Sequence, residues 1–331
     1  MPETQNIRNN NAHEQGIRFL SLLNLMTLSP GILKRDLAFQ LDPTRFFIDP
    51  KLVLPALFVL AAAGCSSSAP AADKTENAGD AAETVTIKVG VNPTPGGEVV
   101  EHVKEQLAKE GVIVETVEYS DYPNINPSTS DGSLDANFFQ HQPYLDGYNS
   151  DSGFEPGKDG YLVSAGDVLY APLGLYSDKV SDVAEIKDGD TILIPNDATN
   201  EARALFLLQD LGLITMKDDA EFGKATILDI DNYNKDITIT EIAADQLPSK
   251  LPEVTSCIVN GTYALNGGIT DKLVVTEAAD SVSAEKYQNV VAVKEENKDN
   301  EAIKKFVAAL QSDETKDWID EHFQGTALAT R

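Results

Sequence analysis

Positive charge is scarce in this chain: lysine and arginine total 26 of 331 residues against 53 aspartates and glutamates, a formal net charge of -27. A surface of that sign repels phosphate backbones and anionic lipid headgroups, so nucleic acid is excluded as a partner. Cysteine is scarcer still, with Cys65 and Cys257 alone, and histidine occurs four times. No C-x-x-C and no H-x-x-x-H is present, so no structural metal site and no metal or other cofactor is expected. No apolar run is long enough for a spanning helix, which needs about 20 residues. "NPTPGGE" lacks the Lys-Ser/Thr pair and glycine spacing of a phosphate loop and reads as a plain turn. No internal repeat is found.

The longest apolar run points elsewhere. Twelve residues from Leu52 to Ala63 have the length of a signal-peptide h-region. The Ala-Ala-Gly-Cys that follows resembles a bacterial lipobox, with Ala62 where that motif more often carries leucine. Cys65 is then the acylated first residue of the mature protein; the alternative is a short buried helix. Residues 51–65 are read as h-region and lipobox. Residues 66–83, "SSSAPAADKTENAGDAAE", have the small, polar, Pro/Ala-rich composition of a flexible linker. Residues 1–50 form an anomalous N-terminal extension, with only Arg45 and Lys51 close to the h-region as an n-region would require; they are left out of the fold, as an upstream start codon would explain. Processing at Cys65 leaves Cys257 alone, in "SCIVN", an apolar strand where an inert core thiol is expected.

From Thr84 the pattern is regular. "TVTIKVGVN" alternates Val85, Ile87, Val89 and Val91, a strand of period two. "PGGEVVEHVKEQLAKEG" spaces Val99, Val100, Val103 and Leu107 as a helix that stops at Gly111, and "VIVETVEYSDY" is a second strand. Strand, helix and strand in some forty residues predict a parallel βαβ unit. "DTILIPNDATNEARALFLLQDLGLI" repeats strand and helix up to Gly212; "DITITEIA", "SCIVN" and "YQNVVAVKEE" are further strands. "NEAIKKFVAALQSDETKDWIDEHF" reads as one amphipathic helix with Ile303, Phe306, Val307 and Leu310 on one face. The alternation gives an α/β protein with helices on both sheet faces, and ligands bind beyond the carboxyl ends of such strands or between lobes.

After Cys65 the chain has eighteen lysines but only two arginines, Arg203 and Arg331. A sequence that keeps one internal arginine uses its planar fork. Arg203 follows a strand end and polar turn, with Thr199 or Asn200 expected as N-cap, and so falls in the first turn of a helix, where unpaired N–H groups already favour an anion. Two readings stay open: a bidentate partner for a ligand carboxylate, or an exposed helical arginine paired with Glu201 or a nearby aspartate. His141 in "DANFFQHQPYL" has four readings: metal ligand, catalytic base, buried histidine satisfied by neighbours, or pocket wall. The first two lack a second ligand or a nucleophile on an elbow-like turn. In the last, Phe139, His141 and Tyr144 sit on a strand-to-helix turn set by Pro143. Asn260 and Asn289 either cap turns or orient a ligand's ammonium or carboxylate.

"SDY", "DANFFQHQPYL", "APLGLYS", "IPNDATNEARALFLLQDLGLI", "IVNGTYA" and "NVVAVKEENKDNEAIKKFVAALQS", in that order behind a lipobox, resemble the methionine-binding lipoproteins of bacterial ABC importers, the NlpA/MetQ family. The resemblance spans about residues 84 to 328, and "FQHQPYL" and "IPND-T-N--R" are its specific motifs. It implies a two-lobed periplasmic-binding-protein fold of the second type, with lobe 1 at 84–170 plus 290–331, lobe 2 at 171–289, crossovers near residues 171 and 289, and a ligand cleft between lobes. Carried over by position, Tyr122, Phe139, His141 and Tyr144 would enclose a methionine side chain. Arg203 would pair with its carboxylate, and Asn260 and Asn289 would hold its polar groups. Less typical are Ala62, the extension at 1–50 and the residues around "SDSGFEPGKDG".

The implied protein is a monomeric, non-enzymatic solute receptor anchored by lipid on Cys65 at the extracytoplasmic face of the cell membrane. It would bind methionine, L or D, or a close analogue, and deliver it to an ABC permease with its ATPase subunit. Alternatives are a methionine-containing dipeptide or a methionine derivative on the same fold, a surface hydrolase using His141, and an adhesive surface protein.

Overall fold

A computed structural model describes residues 84–278 and 281–330. The extension at 1–50, the h-region and lipobox with Cys65, and the linker 66–83 lie outside the described residues. The first half of the chain gives β1 (Val85–Val91), α1 (Glu98–Lys109), β2 (Val112–Glu118), α2 (Ile125–Ser130), β3 (Ala136–His141), α3 (Gln142–Asp151), β4 (Leu162–Tyr170) and β5 (Leu173–Tyr176). Then follow β6 (Thr191–Pro195), α4 (Ala198–Asp210), β7 (Ile214–Met216), β8 (Ile230–Tyr233), β9 (Thr238–Ile242), α5 (Leu247–Lys250), β10 (Ser256–Asn260) and α6 (Gly261–Asn266). β11 (Leu273–Thr276), α7 (Val282–Lys286), β12 (Gln288–Lys294), α8 (Glu301–Leu310), α9 (Asp313–Phe323) and β13 (Leu328–Ala329) complete it.

The βαβ expectation holds at the N-terminal end: β1 pairs β2 in parallel from Val85↔Val112 to Val91↔Glu118. Between them α1 buries Val99, Val100, Val103 and Leu107, and Gly111 takes φ 80° where the helix ends, a conformation that a Cβ would disfavour. Six strands form one sheet in the order β13-β4-β12-β3-β1-β2, and five form another in the order β11-β5-β10-β6-β9, while β7 and β8 pair apart. The chain leaves the first sheet after Tyr170, enters the second at Leu173, and rejoins the first at Gln288. Each sheet has its own core, one packing Phe138, Val291 and Val293 against Val103, Phe306 and Ile319, the other packing Ile192, Ile194 and Ile258 against Ala204, Leu205 and Leu208. A third cluster draws Tyr122, Ile125 and Phe139 together with Leu193, Cys257, Val259 and Tyr263, so apolar packing is continuous from one sheet's elements to the other's.

One expectation is corrected. The C-terminal helix is two helices, α8 and α9, because the Ser312 side chain accepts from the Thr315 N–H and caps a new start. Ile303, Phe306, Val307 and Leu310 do share the buried face of α8. β4 carries no clear strand signal in the sequence, because Ser164, Gly166 and Asp167 interrupt the alternation that marks a strand, yet it pairs along seven positions with β12.

Candidate ligand-binding cavity

β3 is buried along its whole length. Because side chains alternate, Phe138 enters the core of the first sheet while Phe139 and His141 point to the other face. Pro143, one residue into α3, then suits the first turn, where its missing N–H leaves no partner wanting. His141 caps α3: its Nδ1 accepts from the Tyr144 N–H at 3.1 Å. Nδ1 must therefore be unprotonated, so the ring proton sits on Nε2 and is donated to Asn200 Oδ1 at 3.1 Å.

Asn200 belongs to α4, whose N-cap is Asp197, not Thr199 or Asn200; the Asp197 carboxylate accepts from the Asn200 backbone N–H. A carboxylate serves this position better than the expected residues because it also fixes the Asn200 amide, taking Nδ2 on both oxygens at 2.9 and 3.1 Å. That leaves Asn200 Oδ1 as acceptor, and it receives Asn260 Nδ2 at 2.8 Å besides His141. Asn260 Oδ1 is buried and has no partner among the described residues, an acceptor available to a ligand's donor.

The structure places all seven residues singled out from the sequence, Tyr122, Phe139, His141, Tyr144, Arg203, Asn260 and Asn289, around one narrow cavity of about 20 Å³, with Gln140, Ala171, Asn200 and Thr262 completing the wall. That is room for about one water molecule, so the walls must part to admit anything larger. Tyr122, Phe139 and Tyr144 form an aromatic corner with ring centroids 5.5 to 5.9 Å apart. Asn289 stands across the ladder from His141, its Nδ2 3.4 Å from the Phe139 carbonyl.

Arg203 departs from the exposed-arginine reading and from its expected place in the first turn. It lies in the second turn of α4, since the helix begins at Ala198, and it is buried at 2 % exposure, not exposed. Its partner is neither Glu201 nor an aspartate but Glu277, which takes Nε at 2.9 and 3.1 Å and Nη2 at 2.5 Å. Nη2 also donates to the Ala171 carbonyl at 3.2 Å. A second carboxylate therefore cannot grip the Nε/Nη2 edge, and Nη1 is the nitrogen left. The guanidinium also packs on the Tyr287 ring, 4.5 Å from its centroid, and that ring meets His141 edge-on at 4.8 Å.

Burial, reinforced by the Arg203 charge, depresses the His141 pKa to about 3, so the imidazole is neutral at ordinary pH. Burial alone would raise the Glu277 carboxyl, but the adjacent Arg203 guanidinium holds it below the usual range; Arg203, which burial alone would lower, is raised by Glu277. Both stay charged. Burial raises the Tyr122 and Tyr144 phenols and pushes the Cys257 thiol up to about 12. For a histidine with a depressed folded pKa, the unfolded chain takes up a proton below its ordinary 6.5 that the folded chain refuses until about 3. Its contribution to stability is thus full above 6.5 and lost as pH falls through that window. His141→Gln should flatten the fall of unfolding free energy between pH 6.5 and 3, measured by denaturant titration against the parent chain.

Among the described residues no group of three or more His, Cys, Asp or Glu could hold a metal ion, and no helix is long and apolar enough to cross a membrane. The family model described as NlpA lipoprotein matches residues 87–330. The D-methionine-binding lipoprotein MetQ of Salmonella typhi is 40 % identical over 248 residues, 73 % of this chain and 87 % of the relative. A nutrient binding protein from Burkholderia cenocepacia, solved bound to methionine, is 37 % identical with a TM-score of 0.67, covering 74 % of this chain and 100 % of that one. An ABC transporter periplasmic substrate-binding protein from Coxiella burnetii is 34 % identical with a TM-score of 0.65, covering 74 % and 100 %.

Proposed function

This chain belongs to the NlpA lipoprotein family, and from that premise we propose that it captures methionine between two lobes and hands it to the permease and ATPase subunit of an ABC importer. Its fold is the two-lobed α/β arrangement of periplasmic substrate-binding proteins. The lobes are residues 84–170 with 290–331, and 171–289. Lipid on Cys65 anchors the monomer at the extracytoplasmic face of the membrane.

One observation carries the reading: a single cavity brings together an aromatic corner, a buried arginine and an unpartnered amide oxygen. Methionine presents the matching groups. Its thioether packs on Tyr122, Phe139 and Tyr144, where sulfur–aromatic contacts contribute about 0.3 to 1.5 kcal/mol each. Its carboxylate meets Arg203 Nη1, and its ammonium donates to Asn260 Oδ1, with Asn289 completing the polar end. Free glutamate or lysine would bring an unpaired charge among the rings.

Closure is a hinge motion stabilised by contacts across the cleft. His141 to Asn200 is one such contact. Asn266 makes another, its Oδ1 accepting from the Thr94 N–H at 3.3 Å and its Nδ2 donating to the Thr94 carbonyl at 3.0 Å. The site is non-catalytic on this reading, because both His141 nitrogens are committed to Tyr144 and Asn200 and burial holds the ring neutral.

A thermal-shift series on the full chain tests the proposal. Ligand at 100 times its Kd adds about 2.7 kcal/mol to the folded state, so methionine should raise Tm by several degrees while glutamate and lysine leave it unchanged. Equal shifts with glutamate would contradict it.

A further inference from the structure

Glu277 lies just past β11 and does not line the cavity, yet its carboxylate is the most heavily engaged near the site. Besides Arg203 Nε and Nη2, Oε2 accepts from the Tyr170 phenol at 2.7 Å and the Leu173 N–H at 2.8 Å. Tyr170 ends β4 and Leu173 begins β5, so one carboxylate clasps both sides of the crossover between sheets and fastens α4 to it through Arg203. Two consequences follow for the cavity. The Nε/Nη2 edge of Arg203 is closed, so the guanidinium has only Nη1 to offer. The pair is also neutral as a unit, and His141 beside it is uncharged. Of the other carboxylates on this part of the chain, half-buried Asp197 is held by Asn200 and Thr199 at the start of α4, and buried Glu201 accepts from the Ile227 N–H.

We infer that Glu277 is a positioning and specificity residue: it fixes Arg203 so that Nη1 alone meets the ligand's carboxylate, and by cancelling the arginine's charge it tunes the site to a zwitterionic amino acid over a bare carboxylic acid. The inference rests on the amino-acid reading of the cavity. A zwitterion adds no net charge beside a neutral ion pair, whereas a carboxylate lacking its ammonium leaves an uncompensated charge in a buried site. Removing the Glu277 charge reverses that preference, because Arg203 is then an unbalanced cation and its second edge is freed.

The test uses three ligands of one skeleton, L-methionine, 4-(methylthio)butanoate and methioninol, titrated calorimetrically into the full chain with Glu277, with Glu277→Gln and with Glu277→Asp. In Glu277→Gln the affinity of the butanoate relative to methionine should rise roughly tenfold or more, as close buried charge pairs warrant, and methioninol should gain nothing. Glu277→Asp, which keeps the charge, should hold the parent ratio. Equal losses for all three ligands in Glu277→Gln would mark a merely structural role and overturn the inference.

A second measurement needs neither ligand nor a Glu277 variant. In ¹⁵N spectra of the ligand-free parent chain, the Arg203 Nε–H, assigned by its loss in Arg203→Lys, should exchange slowly with water; fast exchange overturns the positioning role. A parent chain that binds none of the three compounds overturns the amino-acid reading and the specificity role with it, and the Nε–H exchange then decides the positioning role alone.

Discussion

Arg203→Ala is expected to lose about 2 to 5 kcal/mol of methionine affinity, the range for truncating one partner of a buried hydrogen-bonded charge pair. Part of that loss is not the ligand's. Arg203 is already paired with Glu277 at 2 % and 5 % side-chain exposure, so the alanine leaves a buried carboxylate without its cation. Breaking such a pair costs roughly 3 to 5 kcal/mol of folding stability, enough to endanger a typical domain. The double variant Arg203→Ala, Glu277→Gln separates the two effects. It removes both charges, so stability should largely return while affinity stays low, read by denaturant midpoints and calorimetry on the same samples. Recovery of both would mean that Arg203 acts on the fold alone.

Asn200→Leu should be the next largest. Leucine matches the volume but strands the His141 Nε2–H and the Asn260 Nδ2–H, both of which donate to Asn200 Oδ1, and takes from Asp197 the Nδ2 amide that reaches both its oxygens. Each buried donor left unmade costs about 1 to 3 kcal/mol, so a loss of roughly 2 to 5 kcal/mol in stability is expected from the denaturant midpoint. Methionine affinity should fall with it, since Asn260 loses the hydrogen bond that aims its free oxygen. An unchanged midpoint would show that the amide network is incidental.

Local pattern made part of this site legible. "FFQHQPY" puts aromatic rings and a histidine on a strand that must stop at Pro143, and β3, α3 and the cavity wall follow directly. After Cys65 the chain answers nearly every need for cation with lysine and so advertises its lone internal arginine, and Arg203 is indeed buried at the cavity. What stayed hidden is pairwise and distant. Glu277 is 74 residues from Arg203 and is one of 53 acidic residues; that a buried arginine needs a carboxylate could be argued, but which one is a property of the folded chain. Asn200 looked like a cap because asparagine usually is one. Only the Asp197 side chain beside it shows that its amide is turned to link His141 and Asn260. Tyr287 gave no periodic signal, yet its ring lies between His141 and Arg203. The fold behaved alike: β1, β2, β6, β9, β10 and β12 stand out by alternation or apolar runs, whereas β4 is a strand because β12 and β13 flank it.

The central claim is that this cavity holds methionine. It is tested most directly by unfolding the full chain to strip any bound amino acid, refolding it, and titrating L- and D-methionine and glycyl-methionine by calorimetry, with glutamate as control. Saturable one-to-one binding of at least one free methionine enantiomer, absent with glutamate, is the predicted result. No heat with any methionine compound from a chain that refolds to its original spectrum would contradict the account.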